Sequence, residues 1–490
     1  MFNLSYPIFG LVVAVFVLIL LVLRTKVHPL IAMIIAACIA GITGGMSADE
    51  TVDAITKGFG STLGSIGIII GLGVMMGRIL EVSGAAEQIA YSFIKWLGKR
   101  KEEWALAITG YFVSIPIFAD SAFVLLYPVA KALAKKGNRS ILTLGVALAG
   151  GLIVTHTTIP PTPGPLAVAG LFGVDVGAMM LLGITIAIPC VISFVLYAKW
   201  LSKRYPNFND EEIIDENLKE VQKSYLEQKT LQKVPSLLLS LLPILVPILL
   251  IFVKALLNIF PELQTTESWV LMLTVQIFNF IGNPIIALCI STLLAVYTLV
   301  PFLNKQETSK RLEEGLRSAG IILMVTGAGG ALGFVVRESG AGADLATQMV
   351  NLPFSPIMIP FLVATVIRLI QGSGTVSMIT AASITAPILE FTPDVNMLFA
   401  AQAAVLGSFF FSYFNDSLFW VVNRMMGIVN VKQQLLTWSV PTTIAWAIGG
   451  ILISIINLVF GTGGSLLDPL IPIGGLLLLY LAIKLRPTSR

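Results

Sequence analysis

The chain has 490 residues, of which 56% are apolar and only 12% are charged. About 25% charged residues is typical of a soluble protein, so these charged side chains could not cover the surface of a soluble fold of this size. Long apolar stretches recur along the chain, and this pattern predicts an all-α polytopic membrane protein. The net charge of +4 is too small to indicate a nucleic-acid partner. The three cysteines are widely spaced in apolar runs, and this spacing fits neither a metal-binding motif nor a disulfide framework.

Apolar runs predict about eleven transmembrane helices. The first, Tyr6–Leu23, lacks a preceding cationic segment and a following cleavage pattern, so we interpret it as a span rather than as a signal peptide. The others lie near Pro29–Gly45, Gly60–Leu80, Leu142–Ala169, Ala178–Trp200, Ser236–Phe260, Pro284–Val300, Gly320–Val336, Leu398–Val422, Val440–Phe460 and Leu470–Ile483. Two more apolar stretches, Trp104–Ala130 and Phe354–Leu389, are interrupted midway by polar residues.

Lys and Arg near the ends of spans predict the orientation in the inner (cytoplasmic) membrane. The N-terminal tail is uncharged, whereas Arg24 follows the first span and Lys484 follows the last, which places the N-terminus outside and the C-terminus in the cytoplasm. Basic clusters at Lys99–Lys101 and Lys131–Arg139 both belong on the cytoplasmic side. The segment Trp104–Ala130 between them must therefore enter the membrane and return, as a re-entrant hairpin.

The sequence contains an internal repeat. Gly71–Ala90 (GLGVMMGRILEVSGAAEQIA) and Gly327–Ala346 (GAGGALGFVVRESGAGADLA) match at seven of twenty positions without a gap, at an offset of 256. HPLIAM from His28 pairs with NPIIAL from Asn283 at an offset of 255. The alternative explanation is that small residues simply recur in membrane helices.

Charge distinguishes the two copies, because the loops that are basic in one copy are acidic or uncharged in the other. The copies are therefore predicted to be inverted in the membrane, an arrangement found in many secondary transporters. The predicted organisation is an N-terminal span (1–27), a first inverted repeat (28–201), a cytoplasmic amphipathic connector (202–233), a linking span and interfacial segment (234–282), a second inverted repeat (283–460) and a C-terminal span and tail (461–490).

Four polar clusters fall where hydrocarbon is expected: SIPIFADSAF from Ser114, VTHTTIPPTPGP from Val154, RLIQGSGTVS from Arg368 and SYFNDSLF from Ser412. The first and third would form the tips of two re-entrant hairpins, and the second and fourth would break the spans that follow. Prolines cannot continue a helix, and the carbonyls they free must face protein or a wet cavity. Exposed helix N-termini at such breaks suit an anion such as a carboxylate.

These clusters supply the candidate site. A substrate carboxylate and its hydroxyls are expected to bind among ten residues: Ser121, Thr157, Thr158, Arg368, Gln371, Gly372, Ser373, Thr375, Asn415 and Ser417. The candidates for proton or ion coupling are Asp120, His156 and Asp416, since charged groups at bilayer depth tend to be functional. Other roles stay open at this stage. The two aspartates could be helix caps, His156 could be a packing residue, and Arg368 could pair structurally with an acidic side chain.

At the same clusters the chain resembles the gluconate permease family of proton symporters, within the ion transporter superfamily. The matching stretches are THTTIPPTPGP, IRLIQGSGTVSMITAA, GGALGFVVRESG, GNPIIAL and YFNDSLFWV, and they span the chain from about residue 28 to 430. The family's first hairpin carries a glutamate near the position of Asp120, where this chain reads IFADSAFVLL.

The resemblance implies proton-coupled uptake of gluconate or a related sugar or hydroxy acid, with H⁺ as the coupling ion and no cofactor. Some members of the family take D-serine or ketosugar acids. Related folds in the superfamily are similar to a homodimer with static scaffold domains and mobile transport domains. Two rival functions remain. A sodium-coupled carrier of the same fold would use the same hydroxyls and carbonyls, whereas an intramembrane enzyme is disfavoured because the chain lacks recognisable catalytic and nucleotide-binding signatures.

Overall fold

The structure, a computed structural model, describes residues 5–25, 27–97, 101–137, 140–204, 235–259, 269–299, 305–349 and 353–484. The regular elements in these ranges are helices. They are α1 Tyr6–Arg24, α2 Pro29–Thr43, α3 Ala48–Val82, α4 Ala85–Leu97, α5 Glu102–Val113, α6 Ala119–Gly137, α7 Ile141–Thr158, α8 Pro163–Phe172, α9 Val176–Arg204, α10 Leu237–Ile259, α11 Trp269–Ile281, α12 Pro284–Leu299, α13 Lys305–Glu338, α14 Ala341–Met349, α15 Met358–Gln371, α16 Gly374–Leu389, α17 Met397–Gly407, α18 Ser417–Met425, α19 Val431–Gln434, α20 Val440–Phe460 and α21 Leu470–Lys484.

The prediction of a helical membrane protein is confirmed. Within the described ranges, six helices or continuous helical segments are long and apolar enough to cross a bilayer, or seven if α11 and α12, bent by 71°, form one span. The two long central helices begin well before their apolar runs. Ser47 caps α3 in a capping box with Glu50, and α13 begins at Lys305. The predicted connector lies outside the described residues beyond Arg204, as does the C-terminal tail beyond Lys484.

The polar clusters interrupt helices where the sequence predicted. Residues 114–118 separate α5 from α6, and Gly372 and Ser373 separate α15 from α16. The proline-rich stretch 159–162 separates α7 from α8, and residues 408–416 separate α17 from α18. Each hairpin is therefore followed by a broken helical segment, once in each half of the chain.

Helix boundaries recur along the chain at an almost constant offset. The long helices α3 and α13 end at Val82 and Glu338, 256 positions apart, and α7 and α17 begin at Ile141 and Met397, again 256 apart. The proline-initiated helices α2 and α12 begin 255 positions apart. The seven successive helices α2–α8 thus correspond in order to the seven helices α12–α18.

The long helices α3 and α13 pack along each other and support the hairpins. Their close approach depends on small residues, because a Cβ on Gly330 of α13 would overlap the Thr62 side chain of α3. Arg78 of α3 also forms an ion pair with Glu314 of α13, with Nη2 and Oε2 2.9 Å apart. The tip of the first hairpin rests on the same α3 helix at Gly77, where a Cβ would lie 1.9 Å from the carbonyl oxygen of Pro116.

Changing Gly77 to alanine is expected to lower the melting temperature of the purified protein. The added methyl group must displace the backbone of the hairpin tip, and overpacking of this kind costs about 1–3 kcal/mol. The control is Gly64→Ala in the same helix, where an added Cβ meets nothing within 4 Å. Equal melting temperatures for the two variants would show that the hairpin tip does not depend on this contact.

Candidate functional site

A cavity of about 180 Å³ lies where the two hairpin tips and the two helix breaks meet. Pockets for drug-sized ligands are about 300–1,000 Å³, so this space suits a smaller molecule. Eight of the thirteen residues that the sequence nominated line it: Asp120, His156, Thr157, Arg368, Ser373, Thr375, Asp416 and Ser417. The fold therefore gathers residues from all four polar clusters, more than 290 positions apart in the chain, around one space.

Arg368 supplies positive charge to this cavity. Its side chain is only 5% exposed, and Nη2 lies 2.7 Å from Oδ2 of Asp416. The other two guanidinium nitrogens, Nε and Nη1, are buried and find no hydrogen-bond partner among the described residues. Nη1 is close to the cavity wall, because a Cβ on the lining residue Gly374 would lie 3.8 Å from it. A buried charged donor without a partner is costly, so an acceptor at this position would be strongly stabilised.

Asp416 is held by three hydrogen-bond donors. It is the N-cap of α18, and its Oδ1 accepts a hydrogen bond from the backbone N–H of Leu418 at 3.3 Å. Its Oδ2 accepts hydrogen bonds from Arg368 and from the Ser412 hydroxyl. The structural roles considered for Asp416 and Arg368, a helix cap and an ion pair, are thus both present. Because Nε and Nη1 have no partner among the described residues, Arg368 can still donate hydrogen bonds to a ligand while it is paired with Asp416.

Asp120 has a different environment in the same cavity. It lies in the first turn of α6, and its Oδ2 accepts one hydrogen bond, from the Ser417 hydroxyl at 3.1 Å. No cation in the described ranges lies within ion-pair distance of it. Asp120 therefore has a neutral partner, whereas Asp416 has a cationic one.

Three helix N-termini converge on this space. Asp120 lies at the start of α6, Ser373 caps α16 by accepting from Val376 N–H at 3.3 Å, and Asp416 caps α18. Helix N-termini carry partial positive charge. The third cluster ends α15 because Gly372 adopts a left-handed conformation (φ 79°), and a Cβ there would overlap the backbone of Asn415. This contact brings the second hairpin tip onto the break before α18.

His156 lies near the end of α7 and lines the cavity, with its ring centroid 5.5 Å from that of Phe118. Its Nδ1 is buried and has no hydrogen-bond partner among the described residues. A packing histidine would be expected to have its nitrogens satisfied, so the unpartnered Nδ1 leaves room for a ligand group. Thr157, next in the chain, is buried and also lines the cavity.

Five nominated residues do not line this cavity. The Thr158 hydroxyl donates to Val154 O at 2.7 Å within its own helix, and Ser121 lies beside Asp120 on α6. Gly372 shapes the hairpin tip, and Asn415 donates from Nδ2 to Leu369 O at 3.3 Å. Gln371 lines a separate apolar cavity of about 260 Å³ between α1, α15 and α16.

Sequence reasoning missed several residues of the site. Ser408 and Thr442 line the cavity, and Ser412, which stood in the fourth cluster without a role, bonds to Asp416. Thr442 lies on α20, outside the four clusters, in a segment that reads as an ordinary span. Its place follows from nonlocal packing, for which the local sequence carries no signal.

The described residues contain no group of three or more His, Cys, Asp or Glu side chains arranged to hold a metal ion. The polar groups that line the cavity are one arginine, two carboxylates, a histidine and several hydroxyls at converging helix ends. Together with the membrane-spanning helices, this composition is that of a membrane transport protein with a compartment for a small polar solute.

The chain belongs to the GntP permease family, whose model matches residues 6–459. It is 64% identical over 490 residues to an uncharacterized permease of Haemophilus influenzae, covering 99% of both chains. It is 33% identical to a gluconate permease of Pseudomonas aeruginosa, covering 94% of this chain and 100% of the relative. The D-serine transporter DsdX of Escherichia coli is also 33% identical, covering 85% of this chain and 91% of that protein. The protein is thus a permease and not an enzyme.

The fold is similar to that of the YdaH transporter of Alcanivorax borkumensis. The TM-score is 0.53 over 94% of this chain and 100% of that one, at 14% sequence identity. This likeness concerns the fold, and it agrees with an all-helical transporter architecture.

Proposed function

We propose that this permease is a secondary active symporter that takes up gluconate or a related sugar or hydroxy acid together with protons. The observation that carries the proposal is the pair of unpartnered guanidinium nitrogens of Arg368 in a cavity shared with Asp120. The substrate carboxylate would accept hydrogen bonds from Arg368 and approach the N-terminus of α16 at Ser373. Its hydroxyls would bind to Thr157, Thr375 and Ser417, which line the same space.

The charges in the cavity favour coupling to a cation. Asp416 already neutralises Arg368, so an ionised Asp120 and a substrate carboxylate would be two uncompensated negative charges close together. Protonation of Asp120 removes one of them. Asp120 is the proposed proton carrier, because Asp416 is already hydrogen-bonded to Arg368, to Ser412 and to the backbone at the start of α18.

The membrane potential also requires that a cation accompany the anionic substrate. Moving one elementary charge across the membrane changes the free energy by about 2.3 kcal/mol per 100 mV. A monoanion alone would enter a cell against this field. One proton per substrate makes uptake electroneutral, and two make it electrogenic and driven by the potential.

The proposed architecture is two inverted repeats with the site near the bilayer midplane, the N-terminus outside and the C-terminus in the cytoplasm. The recurrence of helix boundaries at offsets of 255 and 256 supports the repeat. The reversal of loop charge between the copies supports the inversion. A homodimer with a mobile transport domain is the assembly implied by the resemblance described above.

The proposal is tested with right-side-out vesicles in sodium-free buffer. An imposed inward proton gradient should drive accumulation of labelled gluconate, and a protonophore should abolish it. Uptake that requires a sodium gradient and ignores the pH gradient would instead identify the sodium-coupled carrier. A thermal-shift panel of gluconate, glycerate, fructuronate, D-serine and dicarboxylates identifies the substrate, because a ligand that binds the native state stabilises it.

D-Serine uptake is the second candidate function. DsdX is a relative over 85% of this chain. D-Serine is a zwitterion, and the cavity has a group of opposite charge for each of its two ends. Its carboxylate would bind to Arg368 while its ammonium would bind to Asp120, which has no cationic partner among the described residues. Stabilisation by D-serine but not by gluconate in the panel would favour this candidate.

A further inference from the structure

One serine of the fourth polar cluster, Ser412, forms three hydrogen bonds to residues at the junction of a π-helical turn and α20. Between α19 and α20 the chain forms a π-helical turn, Leu435–Ser439. The Ser412 N–H donates to Thr442 Oγ1 at 3.3 Å, its carbonyl accepts from the Ser439 hydroxyl, and its hydroxyl accepts from Trp438 Nε1 at 2.8 Å. π-Turns inserted in α-helices are frequent at functional sites.

Proton counting fixes the direction of the hydrogen bonds in this network. The indole Nε1–H of Trp438 can only donate, so the Ser412 hydroxyl must accept from it. The single hydroxyl proton of Ser412 is then directed to Asp416 Oδ2. The same carboxylate oxygen accepts from Nη2 of Arg368. A continuous chain of hydrogen bonds therefore runs from Trp438 through Ser412 and Asp416 to Arg368.

We propose that Trp438 and Ser412 are positioning residues for anion recognition, because they hold Asp416 so that Nε and Nη1 of Arg368 remain available to the substrate. The inference rests on the proposed function, in which Arg368 binds the substrate carboxylate. Trp438 can act as a fixed anchor, since its side chain is fully buried and packs against Phe194 of α9 with ring centroids 6.4 Å apart. Neither residue lines the cavity.

A matched control lies in the continuous helical segment Val431–Phe460, which also contains Trp438. Trp446 lies on α20, is 2% exposed, and donates from Nε1 to the Thr365 hydroxyl at 2.8 Å. Trp438→Phe and Trp446→Phe therefore each remove one buried indole and one N–H···O hydrogen bond of equal length. They differ in where the hydrogen bond leads, because the Trp446 hydrogen bond ends at Thr365 and does not lead to Asp416.

The experiment measures gluconate and D-serine binding, transport KM and kcat, and melting temperature for both variants. Trp438→Phe should raise Kd and KM about tenfold, as expected for one lost hydrogen bond in the network, with little change in kcat. Both variants should lower the melting temperature by similar amounts, because each loses one buried indole and one hydrogen bond. Trp446→Phe should leave Kd nearly unchanged. Equal Kd values for the two variants would overturn the inference.

A ligand-free measurement separates failure of this inference from failure of the proposed function. The melting-temperature changes of Trp438→Phe and Asp416→Asn should be non-additive when combined, because the residues belong to one network. Trp446→Phe and Asp416→Asn should be additive. If the melting-temperature changes are non-additive but the wild-type protein binds no ligand of the panel, the proposed function would be overturned and the hydrogen-bond network would stand. Additivity in a protein that binds gluconate would overturn the network.

Discussion

Replacing Arg368 by glutamine should lower substrate affinity by roughly 100-fold, because charge-assisted hydrogen bonds contribute about 1.5–3 kcal/mol each. Two guanidinium nitrogens of Arg368 have no partner in the described part of the chain. The substrate carboxylate is the proposed acceptor for them. Glutamine cannot replace the charge or the planar arrangement of donors, so equilibrium binding of the substrate identified by the thermal-shift panel should be almost lost.

Two further variants make this result interpretable. Arg368→Gln alone leaves Asp416 without its cation, and breaking a buried pair costs about 3–5 kcal/mol. The double variant Arg368→Gln/Asp416→Asn removes both charges and should melt closer to wild type while still failing to bind the anion. Arg337→Gln is the control at a half-exposed ion pair with Glu390, where the expected effect on stability is about 1 kcal/mol or less. Wild-type affinity in the double variant would refute the role given to Arg368.

Replacing Asp120 by asparagine should abolish accumulation driven by a proton gradient. One pH unit is worth about 1.36 kcal/mol per proton, so a gradient of one unit should concentrate the substrate about tenfold through the wild-type protein. Asparagine keeps the size of the side chain and can still bind Ser417, but it cannot take up a proton. The variant should therefore equilibrate substrate without concentrating it, while exchange of labelled for unlabelled substrate continues.

Asp344→Asn is the matched control for this experiment. Asp344 of α14 also accepts a hydrogen bond from a serine hydroxyl, that of Ser5, but it does not line the cavity. This variant should accumulate substrate as the wild type does. If Asp120→Asn still concentrates substrate under a proton gradient, then the proton is carried by another group.

Much of the architecture was predictable because its causes are local in sequence. Prolines 160 and 161 lie in the break between α7 and α8, and prolines 163 and 165 lie in the first turn of α8, where a missing backbone N–H costs no intrahelical hydrogen bond. Glycine at position 372 permits the left-handed residue that ends α15. The length of α3 was underestimated, since its first turns carry Asp49, Glu50 and Asp53 and do not register as an apolar run.

The candidate site was predictable in its members but not in their contacts. All four clusters meet at one cavity because each contains polar groups that hydrocarbon cannot satisfy. The sequence nominated Gln371 and Thr158 by the same reasoning, yet these side chains lie elsewhere. At a helix break, the direction of a side chain is set by the cap and by the residues packed on it, and neighbouring positions can face different spaces.

From its residues alone the chain can be assigned to the polytopic membrane proteins with four polar interruptions, and a repeat of about 256 positions can be predicted, because composition, proline chemistry and periodicity depend on local sequence. Tertiary structure alone decided that Arg368 forms an ion pair with Asp416, that Asp120 accepts from the neutral Ser417 hydroxyl, and that Trp438 reaches the Arg368–Asp416 pair through Ser412. These relations join residues far apart in the chain. They depend on how helices pack, and a sequence pattern does not encode which side chains will face one another.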